Sequence, residues 1–130
     1  MASARAAAVK AAYESGLADF DQHAAILHPE VEFQTNWPGL APAVHGLEGV
    51  RRWAEEFLGP WEWVRFDVRE VIEVDDETVF VWNHAHARGK GSGVDVEMDI
   101  YDVLTFRDGR IALRRTWPDR APAVAAAGIE

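Results

Sequence analysis

The stretch VDVEMDIYDVLTFRDGRIALRRTW, residues 94–117, sets the frame for the rest of the chain. Apolar and polar residues alternate on both sides of Asp108-Gly109, a pair suited to a two-residue hairpin turn. Two antiparallel strands are therefore expected, over 94–106 and 110–117. Arg107 then falls opposite Arg110, and the count runs on through Phe106 with Ile111, Leu104 with Leu113, Asp102 with Arg115 and Ile100 with Trp117. Opposed residues share a sheet face. The face holding Met98, Ile100, Asp102, Leu104 and Phe106 is apolar apart from Asp102 and the facing Arg115. The other face carries Asp95, Glu97, Asp99 and Arg114, which suits solvent or a subunit contact.

The same period-two pattern continues upstream. Strands are expected at 62–74 and 78–88, with turns at Asp75-Asp76-Glu77 and at Gly89-Lys90-Gly91-Ser92-Gly93. Pairing Arg88 with Val94 sets His86 against Val96, His84 against Met98, Trp82 against Ile100 and Phe80 against Asp102. The apolar match of Phe80 and Trp82 around Ile100 favours this register, and a slip of one residue would reverse it. On 62–74 the inward set by alternation is Val64, Phe66, Val68 and Ile72, with Trp61 and Trp63 facing the other way.

Before these strands the period is helical. Val9, Ala12, Tyr13 and Leu17 form one stripe of a helix over 3–17. Asp19 suits the N-cap of a short second helix, which should stop by His28 ahead of Pro29. Val31–Thr35 alternates as a short strand, and 36–45 reads as a loop containing Trp37-Pro38-Gly39. Leu47, Val50, Trp53, Phe57 and Leu58 mark a third helix, ended by Gly59-Pro60. Three N-terminal helices packed on a curved, mainly antiparallel sheet make an α+β domain. It spans 1–130 as a single unit, with an Ala-rich tail at about 119–130.

Composition narrows the function classes. The chain has 130 residues, 48% hydrophobic and 27% charged, enough for a core without metals or disulfides. Six Trp and six Phe point to an aromatic core or a cavity lined with rings. A net charge of −9 argues against nucleic acid and anionic membranes, which bind clustered Lys and Arg. With no Cys, thiolate catalysis and Cys-based zinc sites are excluded. The first residues lack the apolar core of a signal peptide, and no segment reaches a membrane span, so the expected location is cytoplasmic.

The order of these elements resembles the SnoaL-like proteins of the nuclear transport factor 2-like superfamily over nearly the whole chain. Landmarks are Ala18-Asp19-Phe20-Asp21, His28-Pro29-Glu30-Val31-Glu32-Phe33 and Gly46-Leu47-Glu48-Gly49-Val50-Arg51-Arg52-Trp53. Further landmarks are residues 88–97, Phe106-Arg107-Asp108-Gly109-Arg110-Ile111 and the tail from Asp119. The resemblance implies a cone-shaped α+β barrel with a deep pocket, usually a homodimer through the outer sheet face, without a cofactor. Fold alone does not imply function. Asp102 matches the position at which ketosteroid isomerases keep an acid of their oxyanion hole. The isomerase base would fall near Phe33, which takes no proton, and its tyrosine near Ala12, beside Tyr13. These mismatches argue against a steroid isomerase. The Arg and Asp spacing of the epoxide hydrolases is also missing from Asn83-His84-Ala85-His86.

Two function classes fit such a pocket. One is a cofactor-independent proton-transfer enzyme, such as a cyclase, isomerase, dehydratase or hydrolase. Asp102 would be its acid or base, His84 the helper, and Arg115 the orienting charge. The other is a non-catalytic module that binds a small hydrophobic molecule or serves as a dimerising accessory domain. Under either, the lining is expected from Phe33, Trp37, Phe66, Trp82, His86, Met98, Ile100 and Trp117. The bland alternatives are an ion pair for Asp102 and Arg115, and half-buried histidines bonded to backbone or water. His84, His86 and Asp102 together could ligate a metal, but no metal is expected.

Overall fold

The computed structural model describes residues 3–15, 24–37 and 43–129. In chain order the elements are α1 (Ala4–Ser15), β1 (Leu27–Thr35), β2 (Ala43–His45), α2 (Gly46–Leu58), β3 (Trp61–Glu73), β4 (Thr78–Gly89), β5 (Asp95–Arg107), β6 (Arg110–Trp117) and α3 (Arg120–Ala127). The expected second helix falls largely on residues outside the described set, as does Leu17. Among the described residues no helix is long and apolar enough to cross a membrane.

The four long strands form where alternation and turns placed them. They belong to one six-stranded sheet ordered β2-β1-β6-β5-β4-β3. The sheet is mixed, because β1 runs parallel to β6 while the other neighbours are antiparallel. It is also open, with β2 and β3 at its edges. β1 begins earlier than alternation suggested. Pro29, which offers no ladder N–H, sits where the β1–β6 register shifts between Leu27 and Glu32.

Two layers flank the sheet. On the inner face α1 contributes Val9 and Tyr13 and α2 contributes Val50, Trp53 and Ala54 to one cluster. Phe33, Val79, Val81, Leu104 and Phe106 complete it from the strands. On the outer face, Phe80 and Val103 are buried by Ala123 and Ala127 of α3. Most of the Ala-rich tail is thus a helix packed on the sheet. Pro122 is tolerated because it lies in the first turn, where backbone N–H groups are free. Gly128 ends the helix at φ 80°.

Three register details overturn the expected sheet faces. The Asp108-Gly109 turn pairs Arg107 with Arg110 and Phe106 with Ile111, as the sequence implied. Beyond it, β6 advances two residues, Ile111 to Leu113, while β5 advances one, Phe106 to Thr105. This bulge swaps the parity of the rest of β6. Leu104 meets Arg114, Asp102 meets Thr116, and Arg115 meets Val103 on the outer face.

The β4–β5 loop is likewise one step different. Gly89 N–H donates to Val94 O at 2.9 Å, so four residues turn and Arg88 pairs with Asp95. Asp102 therefore opposes Val81, while Phe80, Trp82, His84 and His86 all point outward. A shift between Val68 and Glu70 turns Ile72 outward and Val71 inward.

Candidate functional site

The chemistry on the inner face gathers around Asp102, at the middle of β5 and 0% exposed. Its Oδ2 accepts two hydrogen bonds, from Arg114 Nε and the Tyr13 hydroxyl, and pairs with Arg114 Nη2 as well. Arg114 Nε and Nη2 each lie 3.0 Å away. Tyr13 comes from the far end of α1, on the stripe with Val9 that packs against the sheet. Arg114 comes from β6, turned inward by the bulge.

The guanidinium of Arg114 is enclosed by rings. Its centre lies 5.0 Å from Phe33, 5.7 Å from Trp53 and 5.8 Å from Tyr13. Phe33 and Trp53 meet edge to face at 5.5 Å, and Trp53 stacks on Phe57 at 5.4 Å. Cation–π attraction offsets part of the cost of bringing this cation out of water.

The protonation states follow from these surroundings. Burial, and then the Asp102 charge, hold the Tyr13 phenol well above its ordinary value, so it keeps its proton and donates. Burial opposes the charge of Arg114. The Asp102 carboxylate and Tyr13 outweigh it, holding the guanidinium above its ordinary value.

The two oxygens of Asp102 are treated very differently. Oδ2 has two hydrogen-bond donors and a further guanidinium contact, and Oδ1 is buried with no partner among the described residues. Among the described residues, two further buried side-chain atoms on this face have none: Asn83 Oδ1 and Thr116 Oγ1. Thr116 stands directly opposite Asp102. Asn83 stands opposite Ile100 on β4, diagonal to Asp102.

The sequence-expected site is thus partly rebuilt. Asp102, Met98, Ile100, Phe33 and Phe66 stand on the inner face, while Trp37 is half-buried just past the end of β1. Arg115, His84, His86, Trp82 and Trp117 do not join them. Arg115 projects outward over the Trp117 ring at 5.8 Å, and Arg114 takes the place assigned to it. His84 is held on the outer face by Asp99 and Glu97, at 3.0 Å each, so it cannot assist Asp102. Trp82 Nε1 donates to the same Asp99 oxygen at 3.0 Å, and His86 packs edge-on against Trp63. With both histidines across the sheet from Asp102, the two-His, one-carboxylate metal set does not assemble.

Sequence reasoning missed Tyr13 and Arg114 as site residues. Tyr13 was visible as a polar-tipped ring on an otherwise apolar helix stripe. Arg114 had no such signal, since its direction depends on the bulge. A separate groove of about 540 Å³ runs between α1 and the β5–β6 turn, past Ala8, Ala11 and Ile26 to Arg110. None of the expected site residues lines it.

Comparison with known proteins agrees with this fold. A model of the SnoaL-like domain matches residues 7–114. A solved NTF2-like protein of unknown function from Burkholderia pseudomallei is 21% identical, with a TM-score of 0.79 over 97% of this chain and 98% of that one. TerC, crystallised with polyporic acid, is 22% identical, with a TM-score of 0.78 over 96% and 98%. A candidate SnoaL-like polyketide cyclase from Jannaschia is 19% identical, with a TM-score of 0.75 over 95% and 90%. No curated protein matches the sequence.

Proposed function

Because this chain belongs to the SnoaL-like domain family, we propose that it binds a small hydrophobic molecule against the inner face of its sheet and moves a proton on it through Asp102. No cofactor is invoked. The observation that carries this reading is the unpartnered, fully buried Oδ1 of Asp102. Leaving such an acceptor bare costs about 1–3 kcal/mol, which a ligand O–H, N–H or acidic C–H placed there would recover. Tyr13 and Arg114 hold the other oxygen, so the carboxylate is oriented before a ligand arrives.

Asp102→Asn separates proton acceptance from binding. The amide oxygen would face the Tyr13 and Arg114 donors at Oδ2, which turns the amide NH2 toward the ligand. The pocket-facing atom changes from acceptor to donor. Calorimetry should show the wild type binding 2-naphthol about tenfold more tightly than 2-methoxynaphthalene, with that preference erased in Asp102→Asn. Deuterium exchange at C1 of 2-tetralone should be faster with wild type than with the variant. Equal affinities for the two naphthalenes, or no saturable binding, would overturn the reading.

A second reading is a binding module without turnover. It is favoured by the number of fixed donors on Oδ2, and equal exchange rates of 2-tetralone would select it. Under both readings the outer sheet face, with half-buried Trp63, Trp82 and Tyr101, is proposed as the face of a homodimer.

A further inference from the structure

Resting on the reading of the inner face as a ligand site, we infer that Asn83 and Thr116 join Asp102 in recognising a ligand with two neighbouring hydroxyl groups on an apolar frame. All three side chains are deeply buried, at 0%, 5% and 0% exposure for Asn83, Thr116 and Asp102. Each has an oxygen with no partner: Asn83 Oδ1, Thr116 Oγ1 and Asp102 Oδ1. Three such atoms on adjacent strands of one sheet face are more than packing requires, since buried polar atoms are normally satisfied.

Their chemistry specifies the ligand. Asp102 Oδ1 and Asn83 Oδ1 only accept, so each needs a donor from the ligand. The amide end of Asn83 is already directed to the Ile100 carbonyl at 3.4 Å, which leaves its oxygen to take a donor from elsewhere. Thr116 both donates and accepts, and it directly opposes Asp102. A first ligand hydroxyl between them gives its proton to Asp102 and receives one from Thr116. A second hydroxyl gives its proton to Asn83. Asn83 and Asp102 are diagonal neighbours, which places their backbones about 7–8 Å apart. Two hydroxyls on adjacent ring carbons suit acceptors that rise from neighbouring positions of one sheet face. Phe66, on the neighbouring strand, and Ile100 supply apolar surface beside them.

The test compares 2,3-dihydroxynaphthalene with 2-naphthol by calorimetry, on wild type, Asn83→Leu and Thr116→Val. Wild type should prefer the diol by about fivefold or more. Asn83→Leu should reduce the preference to near unity while leaving 2-naphthol affinity within about twofold. Thr116→Val should weaken both compounds together. Thr116→Val should not melt at a lower temperature than wild type, because it removes a buried hydroxyl that has no partner in the free protein; Asn83→Leu also gives up the bond to the Ile100 carbonyl, so its readout is the diol preference alone. A structural role predicts the opposite: a lower melting temperature for Thr116→Val and an unchanged diol preference in Asn83→Leu. That result, or equal affinity of wild type for the two compounds, would overturn the inference. Loss of all naphthol binding in wild type would instead count against the ligand site itself, so the two failures are distinguishable.

Discussion

Asp102 and Arg114 form an ion pair at a depth where the pairing is costly to break. The carboxylate is fully buried and the guanidinium side chain is 12% exposed. Arg114→Met would leave the carboxylate without its counter-charge, which should destabilise the domain by about 3–5 kcal/mol in urea denaturation. Tyr13→Phe removes one neutral donor and should cost less, about 1.5–3 kcal/mol. The order of the two effects is the check: a larger loss for Tyr13→Phe would contradict the picture of Arg114 as the main support of the carboxylate. Half of this site was legible in advance. An acid on an alternating apolar strand is visible in any register, because β5 keeps its own parity. The identity of its partner was not, since Arg114 and Arg115 are adjacent and one bulge exchanges them.

Strands β4 and β5 are tied across the outer face by charge. His84 lies between Glu97 and Asp99, and bonds first to Glu97 and then to Asp99 raise its pKa from 6.5. The same contacts hold both carboxylates below their ordinary values. Glu97 is lowered mainly by His84, and Asp99 by Trp82 and then His84. A raised histidine stabilises the fold fully below its unfolded pKa of 6.5 and loses that contribution as pH rises through its folded value. The lowered carboxylates stabilise above their unfolded values of 4.5 and 3.8 and lose this as pH falls through their folded ones. The clamp is therefore strongest between about pH 4.5 and 6.5. Wild type should show a small stability advantage over His84→Gln at pH 5.5 that disappears by pH 8.5. Urea midpoints at the two values measure it, and an advantage larger at pH 8.5 would refute the clamp. These pairs also held a register signal that apolar matching overlooked. Arg88 with Asp95 and His84 with Asp99 align opposite charges, while Ala85 with Met98 and Ala87 with Val96 align apolar residues.

For the molecule as a whole, helices α1 and α2 close the inner face, and α3 covers part of the outer one. The remaining outer surface holds Trp63, Trp82 and Tyr101 among paired charges. If it joins two copies, light scattering should give twice the chain mass of 14.5 kDa, and Trp82→Arg should return the monomer with its fold intact. A wild-type monomer across micromolar concentrations would reject the dimer. The α+β class, the four long strands and two of the helices were readable from periodicity and turn residues, because these signals are local and repeat along each element. The open, mixed sheet and the faces were not. Which side a strand residue occupies depends on counting through every turn and bulge, and each extra residue reverses the answer. Tyr13 and Asp102, 89 positions apart, meet because α1 packs across the sheet, an outcome set by the burial of the whole inner face.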